Sequence, residues 1–261
     1  MHLATYQFDA TLGDVDLNLR RIEEILRSLP PGTYDAIAFP EMCDTGYAMD
    51  VITKRAVNWK SDHLAGIRQL ASENKTAVLL GLSERAGNDI YNTIAVIDAT
   101  GALIHTYRKT HLVSIEPINE HRYITPGDAL GVFSLGGVTA GIMTCYELRF
   151  PEVARALTLR GVKLLFVPAA WPLVRVDHLT TLLRARAIEN QIFVISSSRV
   201  GTDAGTRFSG SSMIIDPNGL VLARGPETEE ALLQAKIDLA EIERSRGRIG
   251  ALGERRPELY L

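Results

Sequence analysis

Cys145 stands where an apolar run, Val138 to Thr144, gives way to a polar stretch. A cysteine at the tip of a buried strand can act as a nucleophile. The sharp turn that follows exposes its side chain and frees the next backbone N–H groups, here those of Tyr146 and Glu147, to stabilise an oxyanion. The thiolate is the attacking form, so a base or a cation has to accompany it. Two other strand ends supply such groups. Glu41 follows the apolar run Ala36–Phe39, and Lys109 follows Leu103–Tyr107. A glutamate in reach of the thiol can take its proton, return it to a leaving amine, and then activate the water that cleaves a thioester. A lysine ammonium favours both the thiolate and the tetrahedral oxyanion.

Each residue also has a plainer reading. Free cysteine is among the most buried residue types and can simply fill a core. Cys43 has the same access to the argument and is read as structural. Glu41 can be a loop carboxylate and Lys109 a solvated surface lysine. His111, in Tyr107-Arg108-Lys109-Thr110-His111-Leu112, can be the base of a Cys–His pair or a packed histidine bonded to backbone. Phe150-Pro151-Glu152 repeats Phe39-Pro40-Glu41 and serves as a control. Glu152 falls in the first turn of an expected helix, where a carboxylate favours the macrodipole. Glu41 has no clear helix after it, because Thr45-Gly46-Tyr47 interrupts.

The elements that must position these residues alternate between strand and helix. Strands are expected at Leu3–Phe8, Ala36–Phe39, Thr76–Leu82, Ile90–Asp98, Leu103–Arg108, Val138–Thr144, Lys163–Val167 and Ile192–Ser196. Later ones are Ser211–Ile215, Val221–Ala223 and Leu232–Ile237. Leu19, Ile22, Leu26 and Leu29 recur at helical spacing until Pro30-Pro31-Gly32 stops them. Leu64, Ile67, Leu70 and Ala71 mark a second helix. A third starts near Pro151 and is closed by Gly161, and a fourth covers His178–Asn190. Asp98-Ala99-Thr100-Gly101 and Asp216-Pro217-Asn218-Gly219 read as tight turns. Helices interleaved with apolar strands make an α/β layer protein, and the hairpins make its sheet mixed. Ligand sites of such folds gather at strand carboxyl ends, where Glu41, Lys109 and Cys145 all fall.

Composition narrows the class. The 261 residues are 46% apolar and 23% charged, with net charge −3, which fits one large globular domain. No dense basic stripe points to nucleic acid. Arg244, Arg246 and Arg248 lack interleaved aromatics and read as a solvated or interface segment. The most apolar stretch, Leu164–Val174, is broken by Pro168 and Pro172 and is too short to span a membrane. The N-terminus does not read as a signal peptide. Two cysteines make no disulfide framework, and no Cys-x-x-Cys or His-x-x-x-His spacing suggests a metal. A reduced, cytoplasmic setting is the expectation.

Phe39-Pro40-Glu41, Tyr107-Arg108-Lys109-Thr110-His111-Leu112 and Cys145-Tyr146-Glu147-Leu148-Arg149-Phe150-Pro151-Glu152, in this order, resemble the three motifs of the nitrilase superfamily of carbon–nitrogen hydrolases. Ala4-Thr5-Tyr6-Gln7, Tyr91-Asn92-Thr93 and Arg184-Ala185-Arg186-Ala187-Ile188-Glu189-Asn190 extend the resemblance over nearly the whole chain, toward the short amidase and nitrilase-like branch. The resemblance implies a four-layer α-β-β-α sandwich with two mixed sheets, spanning residues 1–261 as a single domain. It implies a Glu41–Lys109–Cys145 triad with no cofactor. It also implies a homodimer or larger homo-oligomer, with the C-terminal tail at a subunit interface. Family members carry a further glutamate between lysine and cysteine. Glu120-His121-Arg122-Tyr123-Ile124-Thr125-Pro126-Gly127 matches that segment, which assigns Glu120, rather than Glu116, to positioning substrate and Lys109. One departure stands out: many relatives have Asp where this chain has Glu147.

The implied reaction is hydrolysis of a small amide to acid and ammonia, with nitriles, carbamoyl amides or a non-catalytic binding role as the alternatives. Tyr146 and Trp171 read as aromatic walls of a small substrate pocket, Trp171 equally as plain packing. Arg149 and Arg175 can receive a substrate carboxylate or form structural ion pairs.

Overall fold

The computed structural model describes residues 1–58, 62–116 and 118–260. The first half of the chain forms β1 (His2–Gln7), α1 (Val15–Ser28), β2 (Ala36–Ala38), α2 (Met49–Arg55), α3 (Ala65–Asn74), β3 (Ala77–Ala86), β4 (Asp89–Ile97) and β5 (Leu103–Arg108). Then come β6 (Gly131–Leu135), β7 (Val138–Ile142), α4 (Pro151–Leu159), β8 (Leu164–Ala169), α5 (Val176–Asn190) and β9 (Phe193–Ser198). A short hairpin of β10 (Thr202–Asp203) and β11 (Thr206–Arg207) precedes β12 (Met213–Ile215), β13 (Val221–Arg224), β14 (Ala231–Lys236) and α6 (Ala240–Arg248).

Two six-stranded mixed sheets result, ordered β14-β1-β2-β3-β4-β5 and β13-β12-β9-β8-β7-β6. Both have three parallel central strands with antiparallel neighbours. The sheets pack face to face through Leu79, Ile94 and Val96 from the first and Ile142, Phe166 and Ile195 from the second, all fully buried. Each such side chain contributes about 1.5–3 kcal/mol on burial. The outer face of the first sheet is covered by α1 and α3, and that of the second by α4 and α5. This is the expected α-β-β-α sandwich.

Helix α1 shows how sequence pattern becomes layer. Asp14 caps it by accepting the Leu17 N–H at 3.1 Å. Val15, Leu19, Ile22 and Leu26 form its buried stripe. The Asn74 side-chain N–H, at the end of α3, donates to the Leu26 carbonyl at 2.6 Å. Both expected turns form, with Gly101 N–H on Asp98 O and Gly219 N–H on Asp216 O.

Some boundaries differ from the expectation. Strand β3 runs on to Ala86 because its polar end, Ser83-Glu84-Arg85, still pairs with β4. Glu84 there is paid for by Arg108 at 2.7 Å and by the Thr93 hydroxyl at 2.8 Å. Strand β6 and helix α2 were not expected from the pattern, being short elements among glycines and polar residues. The strand expected from Ser211 begins only at Met213, since Ser211 has a left-handed φ of 52°. In the C-terminal region, Ile242 and Ser245 are buried on the chain's own body, and the Gln191 amide bonds the Ile249 carbonyl at 2.9 Å. Arg244 is held by Asp238 and Glu241.

Candidate active site

Glu41 lies in a tight turn just past β2, wholly buried. The turn can rest on β3 because residue 81 is glycine: a Cβ there would lie 2.2 Å from the Pro40 carbonyl oxygen. Asp44 pins the far side of the turn, accepting from the Ser83 N–H and hydroxyl and from the Thr45 N–H. Burial lifts the Asp44 carboxyl to about 6. Lys109 directly follows β5, and its carbonyl accepts the Gly127 N–H at 2.8 Å. A Cβ on Gly127 would meet the Arg108 carbonyl at 2.2 Å, so only glycine fits that approach.

Cys145 opens a 3-10 turn, Cys145–Arg149, at the end of the β7 segment, and takes a left-handed φ of 47°. For a residue with a Cβ this is a costly conformation, of the kind found at nucleophile elbows. Glu147 secures the turn. Its buried carboxylate accepts the Thr144 N–H at 2.6 Å, the Tyr107 hydroxyl at 2.7 Å and the Thr110 N–H and hydroxyl at 2.7 and 2.6 Å. The longer acid therefore does not disturb the elbow. It ties the cysteine turn to the loop that carries Lys109; burial pushes its carboxyl up, but the His111 ring and then these hydrogen bonds outweigh that and hold it below the usual range.

The three strand ends converge. The Lys109 ammonium lies 2.8 Å from Glu41 Oε1 and 2.8 Å from Glu120 Oε2, with every side chain of the trio buried. The Ala170 N–H, just past β8, donates to Glu41 Oε2 at 2.8 Å. Burial pushes the Glu41 carboxyl up; the Lys109 charge opposes this and the Glu120 charge adds to it. Burial and then the Glu41 charge raise the Cys145 thiol, with Lys109 opposing, and Glu41 is within hydrogen-bonding reach of it. The resting site thus holds a thiol beside a carboxylate of raised proton affinity, a pair ready to exchange a proton. Burial disfavours the Lys109 cation, but Glu120, Glu41 and Cys145 outweigh it and hold the ammonium charged.

Glu120 is in a 3-10 turn, Glu120–Arg122, and is fully buried. Glu116 sits at the rim instead, paired with Arg122 at 3.1 Å. The His111 ring lies tilted against Phe150 with centroids 4.2 Å apart, bonds the Thr110 hydroxyl at 2.8 Å and lies 3.8 Å from the Glu147 carboxylate. It is thus neither a partner of Cys145 nor bonded through its ring to backbone, as had been expected of a packed histidine. Cys43 is buried and its thiol donates to the Gly81 carbonyl at 3.2 Å. Two residues that the sequence reading did not single out for the site also reach it. Asn92 bonds both Glu41 and Glu120, and the Tyr47 hydroxyl bonds Glu120 at 2.7 Å.

Cys145 faces a cavity of about 530 Å³ whose walls include Tyr146, Trp171, Arg149 and Arg175. Trp171 serves as both wall and packing: it is 2% exposed and its indole N–H donates to the Arg175 carbonyl at 2.8 Å. The Arg149 guanidinium lies over the Trp171 ring, 4.7 Å from its centroid. Among the described residues no group of acidic, histidine and cysteine side chains is arranged to hold a metal ion. None of their helices is long and apolar enough to cross a membrane.

A four-layer sandwich with glutamate, lysine and cysteine meeting at the strand ends defines a class of cysteine-dependent hydrolases. The carbon-nitrogen hydrolase family model matches residues 2–246. The chain belongs to that family, and it is a hydrolase of the amidase type with a cysteine nucleophile. It is 35% identical over 259 residues to a 2-oxoglutaramate amidase of Bacillus subtilis (strain 168), covering 99% of this chain and 98% of that one. A carbon–nitrogen hydrolase superfamily protein of Xanthomonas campestris, solved with an arsenic adduct in its active site, superposes with a TM-score of 0.89 at 26% identity. That match covers 98% of this chain and 97% of that one. An amidase of Nesterenkonia sp. AN1 superposes with a TM-score of 0.86 at 26% identity, covering 100% and 95%. In that structure, a glutamate-to-glutamine mutant, the acetamide moiety of fluoroacetamide is covalently attached to the active-site cysteine.

Proposed function

We propose that this chain hydrolyses small ω-amides, those whose far end carries a carboxylate, to the acid and ammonia. Cys145 is the nucleophile, Glu41 the base, Lys109 the cation, and Glu120 the residue that positions Lys109. Glu41 takes the thiol proton as sulfur attacks the amide carbonyl. Lys109 and the Tyr146 N–H, at the start of a 3-10 turn where helical geometry supplies no internal acceptor, hold the oxyanion. Glu41 passes its proton to departing ammonia, leaving a thioester, and then activates the water that releases the acid. Tyr146 and Trp171 flank the substrate chain.

The observation that carries the substrate class is the charge of the cavity. Arg149, Arg175 and Arg207 all line it, and none has an ion-pair partner among the described residues, on a chain whose net charge is −3. The one acidic side chain at the rim among the described residues, Glu116, is already paired with Arg122. The 2-oxoglutaramate amidase named above supports this reading. The test is an ammonia-release screen across ω-amido acids, neutral amides of the same length, nitriles and carbamoyl amino acids. Arg149→Gln is expected to raise KM for an ω-amido acid about tenfold or more, through loss of a charge-assisted hydrogen bond, and to leave the neutral amide within about twofold. Equal losses on both substrates would remove Arg149 from substrate binding, and turnover of nitriles alone would replace the amide reading.

The proposed setting is the reducing cytoplasm, in keeping with two free thiols. We also assign a homodimer or larger homo-oligomer with the C-terminal tail at its interface. Ile188 and Leu220, 48% and 62% exposed on the outer side of the second sheet, support it. Sedimentation is expected to give at least twice the chain mass, and a monomer across micromolar concentrations would refute it.

A further inference from the structure

Two carboxylates, Glu41 and Glu120, share one ammonium in a site sealed from water. Burying charge without pairing is prohibitive, so neutral donors must make up the shortfall. Four do. The Ala170 N–H serves Glu41 Oε2, and the Val113 N–H serves Glu120 Oε2 at 2.8 Å. The Tyr47 hydroxyl serves Glu120 Oε1 at 2.7 Å. Asn92, on β4, does something different: its one amide nitrogen reaches Glu41 Oε1 at 2.6 Å and Glu120 Oε1 at 3.1 Å. It is the neutral side chain that bridges the two acids.

A second observation shows that Asn92 is placed for those acids. Its carbonyl oxygen, Oδ1, is buried and has no hydrogen-bond partner among the described residues. Leaving a buried acceptor orphaned costs stability. The reverse rotamer would turn that oxygen onto two carboxylates, so the acids fix the amide's orientation. Asn92 is also locked in register, because its main-chain carbonyl accepts the Lys109 N–H at 2.8 Å. Tyr47 is locked likewise: its N–H donates to Asp203 at 2.7 Å, and Asp203 is ion-paired with the buried Arg199.

We infer that Asn92 is a positioning residue for the base, spanning the two carboxylates so that Glu41 is aligned and ionised when substrate arrives, with Tyr47 holding the Glu120 end. This rests on the reading of Glu41 as base. The charged and titratable groups facing Glu41 are Lys109, Glu120 and Cys145, with the Tyr47 phenol beyond Glu120. Of these, Lys109 together with the Asn92 bond holds the Glu41 carboxyl down against burial. Losing the bond therefore pushes that carboxyl further up. The base must be ionised in the free enzyme, so the acid limb of the kcat/KM profile has to move to higher pH.

The experiment compares Asn92→Leu, similar in volume but without donors, with the wild-type chain. The readouts are kcat/KM for an ω-amido acid against pH, and the pH dependence of Cys145 alkylation by iodoacetamide, which needs no turnover. The acid limb of both curves is expected to shift upward, and kcat/KM near neutral pH to fall about tenfold to a hundredfold, the loss of a hydrogen bond to a charged group. Tyr47→Phe, which removes one oxygen, is the second variant. Its kcat is expected to fall about tenfold with KM within twofold. Superimposable acid limbs in Asn92→Leu overturn the proposal, even if its rate is lower. If Asn92→Leu does not fold, a Tyr47→Phe enzyme with wild-type kcat overturns it. Absence of ammonia release by the wild-type chain itself defeats the amidase reading instead, and the alkylation curves still decide the role of Asn92.

Discussion

Cys145→Ala is expected to cut amide turnover by about four orders of magnitude or more, the scale seen when a covalent nucleophile is removed. The expectation rests on the absence of a substitute. Among the described residues the other free thiol, Cys43, is buried with its proton on the Gly81 carbonyl and is not among the cavity-lining residues. Hydroxide from solvent would have to attack without the thioester stage that divides one hard step into two. Stability should change by only about 1 kcal/mol, as for deleting a small buried group, and the elbow strain at a φ of 47° stays in place for alanine. The measurement pairs steady-state ammonia release with a denaturant midpoint. Turnover within tenfold of wild type in a folded Cys145→Ala protein would end the nucleophile assignment.

Lys109→Met should damage stability and activity together. It keeps the length of the side chain but leaves Glu41 and Glu120 buried without their shared cation. Breaking a buried ion pair from one side costs about 3–5 kcal/mol. The cost should depend on pH. Burial already raises the Glu41 carboxyl in the wild-type chain, with Lys109 opposing. Without Lys109 the carboxyl rises further. Below the ordinary carboxylate range it is protonated in both folded and unfolded states, and no penalty arises. As pH climbs past that range the unfolded chain ionises while the folded one resists, so stability is lost. Denaturation of the variant is therefore expected to show its smallest deficit near pH 4 to 5 and a growing one toward pH 8. A deficit independent of pH would mean that lost packing dominates. Amide turnover should fall about a thousandfold, since the oxyanion loses its cation and the thiol loses the charge that favours its thiolate.

The candidate reacting residues were legible in the sequence because each follows an apolar run, and a strand end is a local feature. Glu120 was legible only through resemblance, since Glu116 differs from it by one turn of loop. Asn92 and Tyr47 were hidden for a different reason. Asn92 lies inside a strand pattern, Tyr91-Asn92-Thr93, and nothing local reveals that its face of β4 meets two carboxylates contributed by residues 51 and 28 positions away. Tyr47 looked like a turn residue after Thr45-Gly46, and its partner Glu120 is 73 positions distant. Glu147 read as a departure from pattern, whereas its five donors come mainly from the Lys109 loop. Contacts of this kind depend on how distant strand ends and loops are brought together, within one sheet for Asn92 and between the two for Glu147, which periodicity along one strand does not encode.

The division of the site between the sheets also bears on the order in which a ribosome delivers it. Glu41 and Lys109 emerge early, just past strands β2 and β5 of the first sheet, while Cys145 follows β7 of the second. The first sheet is not closed until β14, at Ala231–Lys236, returns to pair with β1. A nascent chain therefore carries its sulfur for more than eighty residues of synthesis before the last strand is in place. Every side chain of the site is thus in the chain well before the edge strand that finishes the first sheet.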